Sequence, residues 1–181
     1  MRVTLVPAGH PGGAADLVAA VAGLEAVWFV GHPGRADEVG VAAAALAAST
    51  TLRVGVPVLP GDNAFWAARR IGTLAWAAAG RVLDVLFVVD DPADEPAVLA
   101  TLLLLRQVWS DPAFAELVQV RPAGTAAAVR AVVVGRAAAA IAVPLRLPWL
   151  VPAADGPPVT GGLTDDDTEA EVSWLTPATA A

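Results

Sequence analysis

The feature that most constrains the fold is a regular alternation of short apolar runs and alanine-rich helical segments in the first half of the chain. The apolar runs have the length of strands and lie at 1–7, 25–30, 52–59 and 81–89. The helical segments between them lie at 14–24, 36–49 and 63–80. Strands that alternate with helices form parallel sheets with right-handed crossovers. The sequence therefore predicts a parallel α/β fold in which the run 81–89, apolar almost throughout, is covered on both faces.

The second half of the chain has a less regular pattern. A charged loop is predicted at 90–97, an apolar helix at 98–111 and a short strand at 117–122. A further helix is predicted to begin near Gly124 and Thr125. The last apolar segment, 141–152, contains three prolines that remove ladder donors, which favours an edge strand or extended strap.

The negative charge is concentrated at the C-terminal end. The net charge is −7, and the six acidic residues after position 150 are not balanced by any arginine. We therefore divide the chain into a domain at 1–150 and an acidic Pro/Gly-rich tail at 151–181, with a short helix expected around Glu169 and Glu171. The nearly neutral body has no basic stripe, so nucleic-acid binding is not expected.

Missing residue types exclude several kinds of site. The chain has no cysteine, so it can form neither a disulfide framework nor a zinc–thiolate site, and no metal site is predicted. Every basic side chain apart from the two histidines is arginine, which excludes Schiff-base lysines and the lysine-bearing phosphate loop. Arginines interrupt the longest apolar stretches, so a membrane span is not expected, and we predict a cytoplasmic protein. The 56% hydrophobic content exceeds that of ordinary soluble domains and predicts a surface that faces a partner.

Several segments, taken in order along the chain, resemble one enzyme family. GLEAVW at 23–28 is followed by TLR at 51–53 and by a helix that runs from Asn63 to a Gly-Arg pair at 80–81. Over roughly residues 1–110 this series is similar to the N-terminal half of the bacterial-luciferase-like oxidoreductases. The resemblance implies a TIM-barrel-like fold and a cofactor that is either FMN or the 8-hydroxy-5-deazaflavin coenzyme.

The resemblance also implies where a site would lie. His32, at the end of the second strand, is the candidate catalytic residue, and the alternative is that it only stabilises the loop around it. Gly55, Val56, Asn63 and His10 are the candidate cofactor contacts. His10 could equally be a loop residue. Asp62 or Asn63 is expected to cap the following helix, and that role competes with holding an anion there.

The chain departs from the family in three respects. A complete TIM barrel needs about 250 residues, whereas this chain has 181, so a truncated barrel-like parallel sheet with flanking helices is expected. Leu83, Val85 and Phe87 stand where the family keeps glycines, and we expect them to fill the space of a flavin ring. Gly31 replaces the aspartate that would orient His32.

Two functions fit this sequence. One is a shortened flavin- or deazaflavin-dependent oxidoreductase subunit that acts within a homo- or hetero-oligomer. The alternative is a non-catalytic structural partner, a pseudoenzyme subunit, without cofactor. In both cases the expected partner is a second copy or a full-length luciferase-like homologue, because an open barrel fragment leaves strand edges and apolar faces to be covered.

Overall fold

The computed structural model describes residues 2–6, 14–21, 23–30, 38–117, 129–152, 159–161 and 171–174. The strands are β1 (Arg2–Val6), β2 (Ala26–Phe29), β3 (Arg53–Val58), β4 (Leu83–Val88), β5 (Val129–Val134), β6 (Trp149–Val151), β7 (Val159–Gly161) and β8 (Glu171–Trp174). The helices are α1 (Ala14–Val21), α2 (Glu38–Ala48), α3 (Ala64–Ala77), α4 (Glu95–Ser110), α5 (Pro112–Leu117) and α6 (Ala138–Leu145), with a 3₁₀ turn at Pro92–Asp94. Within these ranges none of the helices has both the length and the apolarity needed to cross a bilayer.

The strands form one sheet in the order β7-β6-β5-β4-β3-β2-β1-β8. Strands β1 to β6 are parallel and follow chain order, so each βα unit lies directly beside the one before it. Within this sheet the six strands β1 to β6 form a curled parallel half-barrel that is flanked by helices. The predicted parallel α/β fold is confirmed. That this half-barrel is a truncated TIM-barrel fold remains a prediction.

The predictions for 124–152 are wrong in two places. Val129–Val134 is a strand, not part of a helix, because four of its six residues are valines, and β-branched side chains suit a strand that is covered on both faces. The segment predicted as an edge strand is divided between α6 and β6, and β6 lies between β5 and β7. Pro144 lies in the last turn of α6, where its missing N–H removes one helical bond, and the helix ends at the next residue. The strand predicted at 117–122 falls mostly outside the described residues.

Two segments of the predicted acidic tail extend the sheet. β7 pairs antiparallel with β6, and β8 pairs parallel with β1. Glu171 is therefore in a strand, and the helix predicted around it is wrong at that position. Pairing with an edge strand satisfies backbone groups that would otherwise face solvent, and this outweighs the favourable placement of acids at a helix start.

The two faces of the sheet bury separate sets of side chains. The outer face packs against the helices, and Val54, Val56, Leu83, Val85 and Phe87 belong to this core. The inner, concave face buries a smaller cluster: Val3, Leu5, Ala26, Trp28, Leu86, Val132, Val134 and Leu150.

These two cores correct two expectations. Leu83, Val85 and Phe87 do not fill the inner face, because alternate residues of a strand point to opposite sides. Leu86 and Phe87 are both fully buried in the single chain, so covering β4 does not require a partner.

Both ends of α3 are held by side chains. Asn63 is the N-cap, because its Oδ1 accepts hydrogen bonds from the backbone N–H groups of Phe65 and Trp66 at 3.1 Å each. The predicted capping role is therefore confirmed. Near the other end Arg81 donates to the carbonyl oxygens of Ala78 and Leu46, both at 2.8 Å, and to that of Ser49. The Arg81 side chain therefore links the C-terminal ends of α2 and α3 by hydrogen bonds.

The turn from β5 into α6 depends on one glycine. Gly135 has a φ of +125°, and a Cβ built there would lie 2.4 Å from the carbonyl oxygen of Val89. We expect Gly135→Ala to lower the free energy of unfolding by roughly 2–4 kcal/mol, since it combines backbone strain with a clash against main chain. Gly23→Ala is the matched control, because a Cβ there meets no atom within 4 Å. Urea unfolding followed by circular dichroism measures both, and equal stabilities for the two variants would contradict the assignment.

Candidate functional site

One level of the inner face carries the main polar cluster among the described residues. The strand register places Trp28 beside Gly55, Gly55 beside Asp84, and Asp84 beside Arg130. These four residues thus lie in a row across β2, β3, β4 and β5. Arg53, the first residue of β3, lies two residues before Gly55 on the same face of the strand, and its side chain reaches this row.

Asp84 is the centre of this cluster, and its side chain is fully buried. Its Oδ1 accepts hydrogen bonds from Arg53 Nη2 at 2.7 Å and from Arg130 Nε at 2.9 Å. Its Oδ2 accepts from Arg53 Nε at 2.8 Å and from Trp28 Nε1 at 2.8 Å. A carboxylate has about four acceptor positions, so these donors use its full capacity. The two-bond contact with Arg53 is the bidentate geometry that fixes a guanidinium most firmly.

The buried carboxylate is compensated by charge as well as by hydrogen bonds. The guanidinium groups of Arg53 and Arg130 both contact Asp84. Their side chains are 22% and 19% exposed, so they keep some contact with water while Asp84 has none. These partners replace the hydration that the buried carboxylate loses on folding.

Gly55 is required by the packing of Trp28. A Cβ at position 55 would lie 2.4 Å from Cδ1 and 2.8 Å from Cγ of the Trp28 indole. The indole therefore lies directly over the backbone of Gly55 on its way to Asp84. No larger residue fits at position 55 unless the ring moves.

The structure separates the residues predicted as cofactor contacts. Gly55 faces inward beneath Trp28, whereas the side chain of Val56 is buried in the outer core against the helices. Asn63 caps α3. His10 and His32 lie outside the described residues, so their roles remain predictions.

A second candidate location lies at the carboxyl ends of β4 and β5. A cavity of about 520 Å³ is lined there by Asp90, Asp91, Pro92, Glu95, Arg136, Ala137, Ala139 and Ala140. Asp90 Oδ1 accepts a hydrogen bond from the backbone N–H of Arg136 at 3.2 Å, which shapes the turn beside the cavity. In the described part of the chain no group of three or more His, Cys, Asp or Glu side chains is arranged to hold a metal ion.

The sequence reasoning missed the Asp84 cluster, although a signal for it exists. Asp84 is the single charged residue within the apolar run of β4. A charged residue inside a strand covered on both faces must have charged or hydrogen-bonding partners, because an isolated buried carboxylate is too costly. The sequence alone does not say which of eleven arginines those partners are.

Comparison with known proteins does not assign the chain to a family. No protein-family model matches it, and no curated protein does either. The resemblance to luciferase-like oxidoreductases thus rests on the residues quoted above.

Removing the carboxylate should destabilise the protein strongly. We expect Asp84→Ala to cost about 3–5 kcal/mol of unfolding free energy, because Arg53 and Arg130 would face each other without their shared anion. Asp62→Ala is the matched control, since among the described residues Asp62 forms a surface contact with Arg70 at 3.3 Å and accepts one backbone hydrogen bond from Leu59. Chemical unfolding measures both variants. A loss for Asp84→Ala no larger than that of the control would show that the cluster does not support the fold.

The packing of Trp28 on Gly55 gives a second prediction. We expect Gly55→Ala to cost roughly 1–3 kcal/mol, because the added methyl group displaces a ring that is held by its hydrogen bond to Asp84. The double variant Gly55→Ala with Trp28→Phe tests the cause, since the smaller ring has no hydrogen bond to keep it in place. In a double-mutant cycle the cost of Gly55→Ala should shrink by at least about 0.5 kcal/mol when Trp28→Phe is already present. Additive costs would contradict direct contact as the cause.

Proposed function

We propose that this chain is a non-catalytic structural partner, a luciferase-like half-barrel that acts within an oligomer. The observation that carries the proposal is the position of the Trp28 indole over Gly55. The resemblance would place a cofactor ring against the end of β3, which includes Gly55. In this chain a protein side chain covers that glycine.

The use of Asp84 supports the same proposal. A catalytic acid or base needs an acceptor position or a proton that can reach a substrate. Both carboxylate oxygens of Asp84 already accept two hydrogen bonds each, and the side chain is fully buried. A residue used in this way holds neighbouring strands together and has no capacity left for proton transfer.

The cavity at the carboxyl ends of β4 and β5 favours a second candidate function. This is the end of a barrel sheet at which enzymes of that fold build their active sites. In this alternative the chain is a shortened FMN- or deazaflavin-dependent oxidoreductase subunit. His32 would take part in catalysis, His10 would contact the cofactor, and Arg136 would offer a cation at the cavity.

Cofactor titration tests the proposal. We expect the purified chain to bind neither FMN nor the 8-hydroxy-5-deazaflavin coenzyme with a submicromolar Kd, as followed by the fluorescence of the added cofactor. The resemblance implies a glycine-rich segment after the fourth strand that contacts the cofactor phosphate, and most of that segment is missing from this chain. Each lost hydrogen bond to a charged phosphate costs about 1.5–3 kcal/mol. Two such losses weaken binding roughly a hundredfold or more.

A tight complex with either cofactor would contradict the non-catalytic proposal. Arg136→Ala would then locate the binding, because a loss of affinity in that variant assigns the cofactor to the cavity. Arg106→Ala is the matched control, an exposed arginine on α4 that does not line this cavity. His32→Ala would next be assayed for loss of turnover.

A further inference from the structure

A cavity of about 400 Å³ lies between the C-terminal end of α4 and the first residues of β5. It is lined by Arg106, Trp109 and Ser110 of α4, by residues 129–131 of β5 and by residues 147–148 before β6. Pockets that hold small molecules have volumes of about 300–1,000 Å³. The cavity is therefore large enough for a small ligand, and it lies at the opposite end of the sheet from the cavity described above.

The stagger between β5 and β6 leaves this space open. β6 pairs with β5 only from Val133 onward, and the backbone N–H of Val133 donates to the carbonyl oxygen of Pro148 at 3.0 Å. The first residues of β5 therefore have no described strand on that side. Backbone groups of alternate residues in a parallel strand face the same edge, so the N–H of Ala131 is directed to this open edge. One wall of the cavity thus carries a backbone donor.

The Trp109 side chain brings a second donor to the cavity. Its ring packs against the outer core. Its Nε1 is buried, and it has no hydrogen-bond acceptor in the described part of the chain. A buried N–H group without an acceptor is costly and uncommon in folded proteins. An acceptor that enters the cavity would remove this cost.

Arg106 adds a positive charge beside Trp109. The two residues are three positions apart on α4, so their side chains are neighbours on one face of the helix. Arg106 is exposed, and no ion pair between described residues involves it. Its planar guanidinium can donate two parallel hydrogen bonds to a carboxylate. The Ser110 hydroxyl already donates to the carbonyl oxygen of Gln107 at 3.4 Å, so we do not count it as a donor for a ligand.

The same two kinds of donor share a carboxylate elsewhere in this chain. At Asp84, the Trp28 indole N–H and the two-bond contact with Arg53 supply three hydrogen bonds. In the cavity an indole N–H and a guanidinium are neighbours again, but the lining residues include no carboxylate. A ligand that completes this arrangement carries the group that Asp84 supplies in the other cluster.

Charge favours a carboxylate over a phosphate as that group. The lining includes two arginines and no acidic residue. Arg130 is one of them, and together Arg130 and Arg53 leave one positive charge in excess around Asp84. The cavity also adjoins the C-terminal end of α4, whose last carbonyl groups carry partial negative charge and oppose a dianion more than a monoanion. Asp111, the next residue after α4, is not a lining residue, and its Oδ1 accepts two backbone hydrogen bonds from α5.

We propose that this cavity binds a small organic carboxylate. Its carboxylate group lies between the Arg106 guanidinium and the Trp109 indole N–H, and its apolar part lies against Val129 and Leu147. The inference goes beyond the proposed assembly role and does not rest on it, because it concerns a separate part of the molecule. The site is one of binding and not of reaction, since the donors that form it are used to hold the ligand.

Titration with benzoate, followed by the NMR signals of the tryptophan indole N–H groups, tests the site. The chain has six tryptophans, and Trp109→Phe identifies the signal of residue 109 by its loss. We expect this signal to move downfield and saturate as benzoate is added, because a new hydrogen bond deshields the proton. Benzyl alcohol, which has the ring without the charge, should leave the signal in place. Phenyl phosphate should bind more weakly than benzoate.

Variants of the two donors test which groups hold the carboxylate, with affinity followed through the backbone amide signal of Ala131. Arg106→Ala should weaken benzoate binding by about tenfold or more, because hydrogen bonds to charged groups are among the strongest. Arg106→Lys should recover only part of this loss, since an ammonium group lacks the two-bond geometry. Trp109→Phe keeps an aromatic ring and should weaken binding by about threefold or more.

Arg136→Ala is the matched control for these variants. It removes one exposed arginine at the carboxyl end of β5, outside this cavity, so benzoate affinity should be retained. Circular dichroism of each variant checks that the fold is intact.

Four results would overturn the proposal. They are a Trp109 signal that does not respond to millimolar benzoate, equal responses to benzoate and benzyl alcohol, stronger binding of phenyl phosphate than of benzoate, and an affinity unchanged by both Arg106→Ala and Trp109→Phe. None of them depends on FMN or the deazaflavin coenzyme. Failure of this inference and failure of the non-catalytic proposal are therefore distinguishable.

Discussion

The hydrogen bonds and ion pairs of Asp84 connect more of the half-barrel than any other described polar contact. One carboxylate joins residues from four neighbouring strands, β2, β3, β4 and β5, through Trp28, Arg53 and Arg130. Parallel strands are linked mainly by backbone bonds to their immediate neighbours. Asp84 adds a side-chain link that reaches across an intervening strand, since Trp28 crosses over β3 to reach it. This link fixes which residues can occupy the positions around it, and Gly55 is the clearest example.

The Asp84 cluster also limits what the inner face of the half-barrel can bind. A barrel that holds a cofactor must keep space and free polar groups near the carboxyl ends of its strands. Here the described inner face is buried and apolar apart from a cluster whose central carboxylate has no acceptor position left. Binding potential is instead found at the rim, in the cavity beside Asp90 and Arg136, in the cavity beside Arg106 and Trp109, and on the outer surface of α3. That distribution is what favours an assembly role over chemistry inside the half-barrel.

A high apolar composition can reflect the chain's own core or a surface that a partner covers. The structure shows which apolar side chains serve the core and which stay exposed. A high apolar content favours a partner that covers both sides of the central strands. The structure buries β4 on both faces within one chain, so the fold does not depend on a partner for its core. The exposed tryptophans of α3, Trp66 and Trp76, are side chains that the helix does not need for its own packing, since Ala67, Ala68, Ile71 and Leu74 supply its buried side.

The sequence by itself determined the elements whose signals are local. The three βα units and the fourth strand, up to residue 89, and the cap at Asn63 follow from short-range patterns, because hydrophobic period and capping geometry involve residues close in the chain. Local signals were misleading at 129–152, where alanine-rich flanks and prolines obscured a β-branched strand and a short helix. The partners of Asp84, the position of Trp28 over Gly55 and the exposure of Trp66 and Trp76 were decided only by the tertiary structure. They depend on strand order, register and curvature, which bring together residues that are 31, 46 and 56 positions apart.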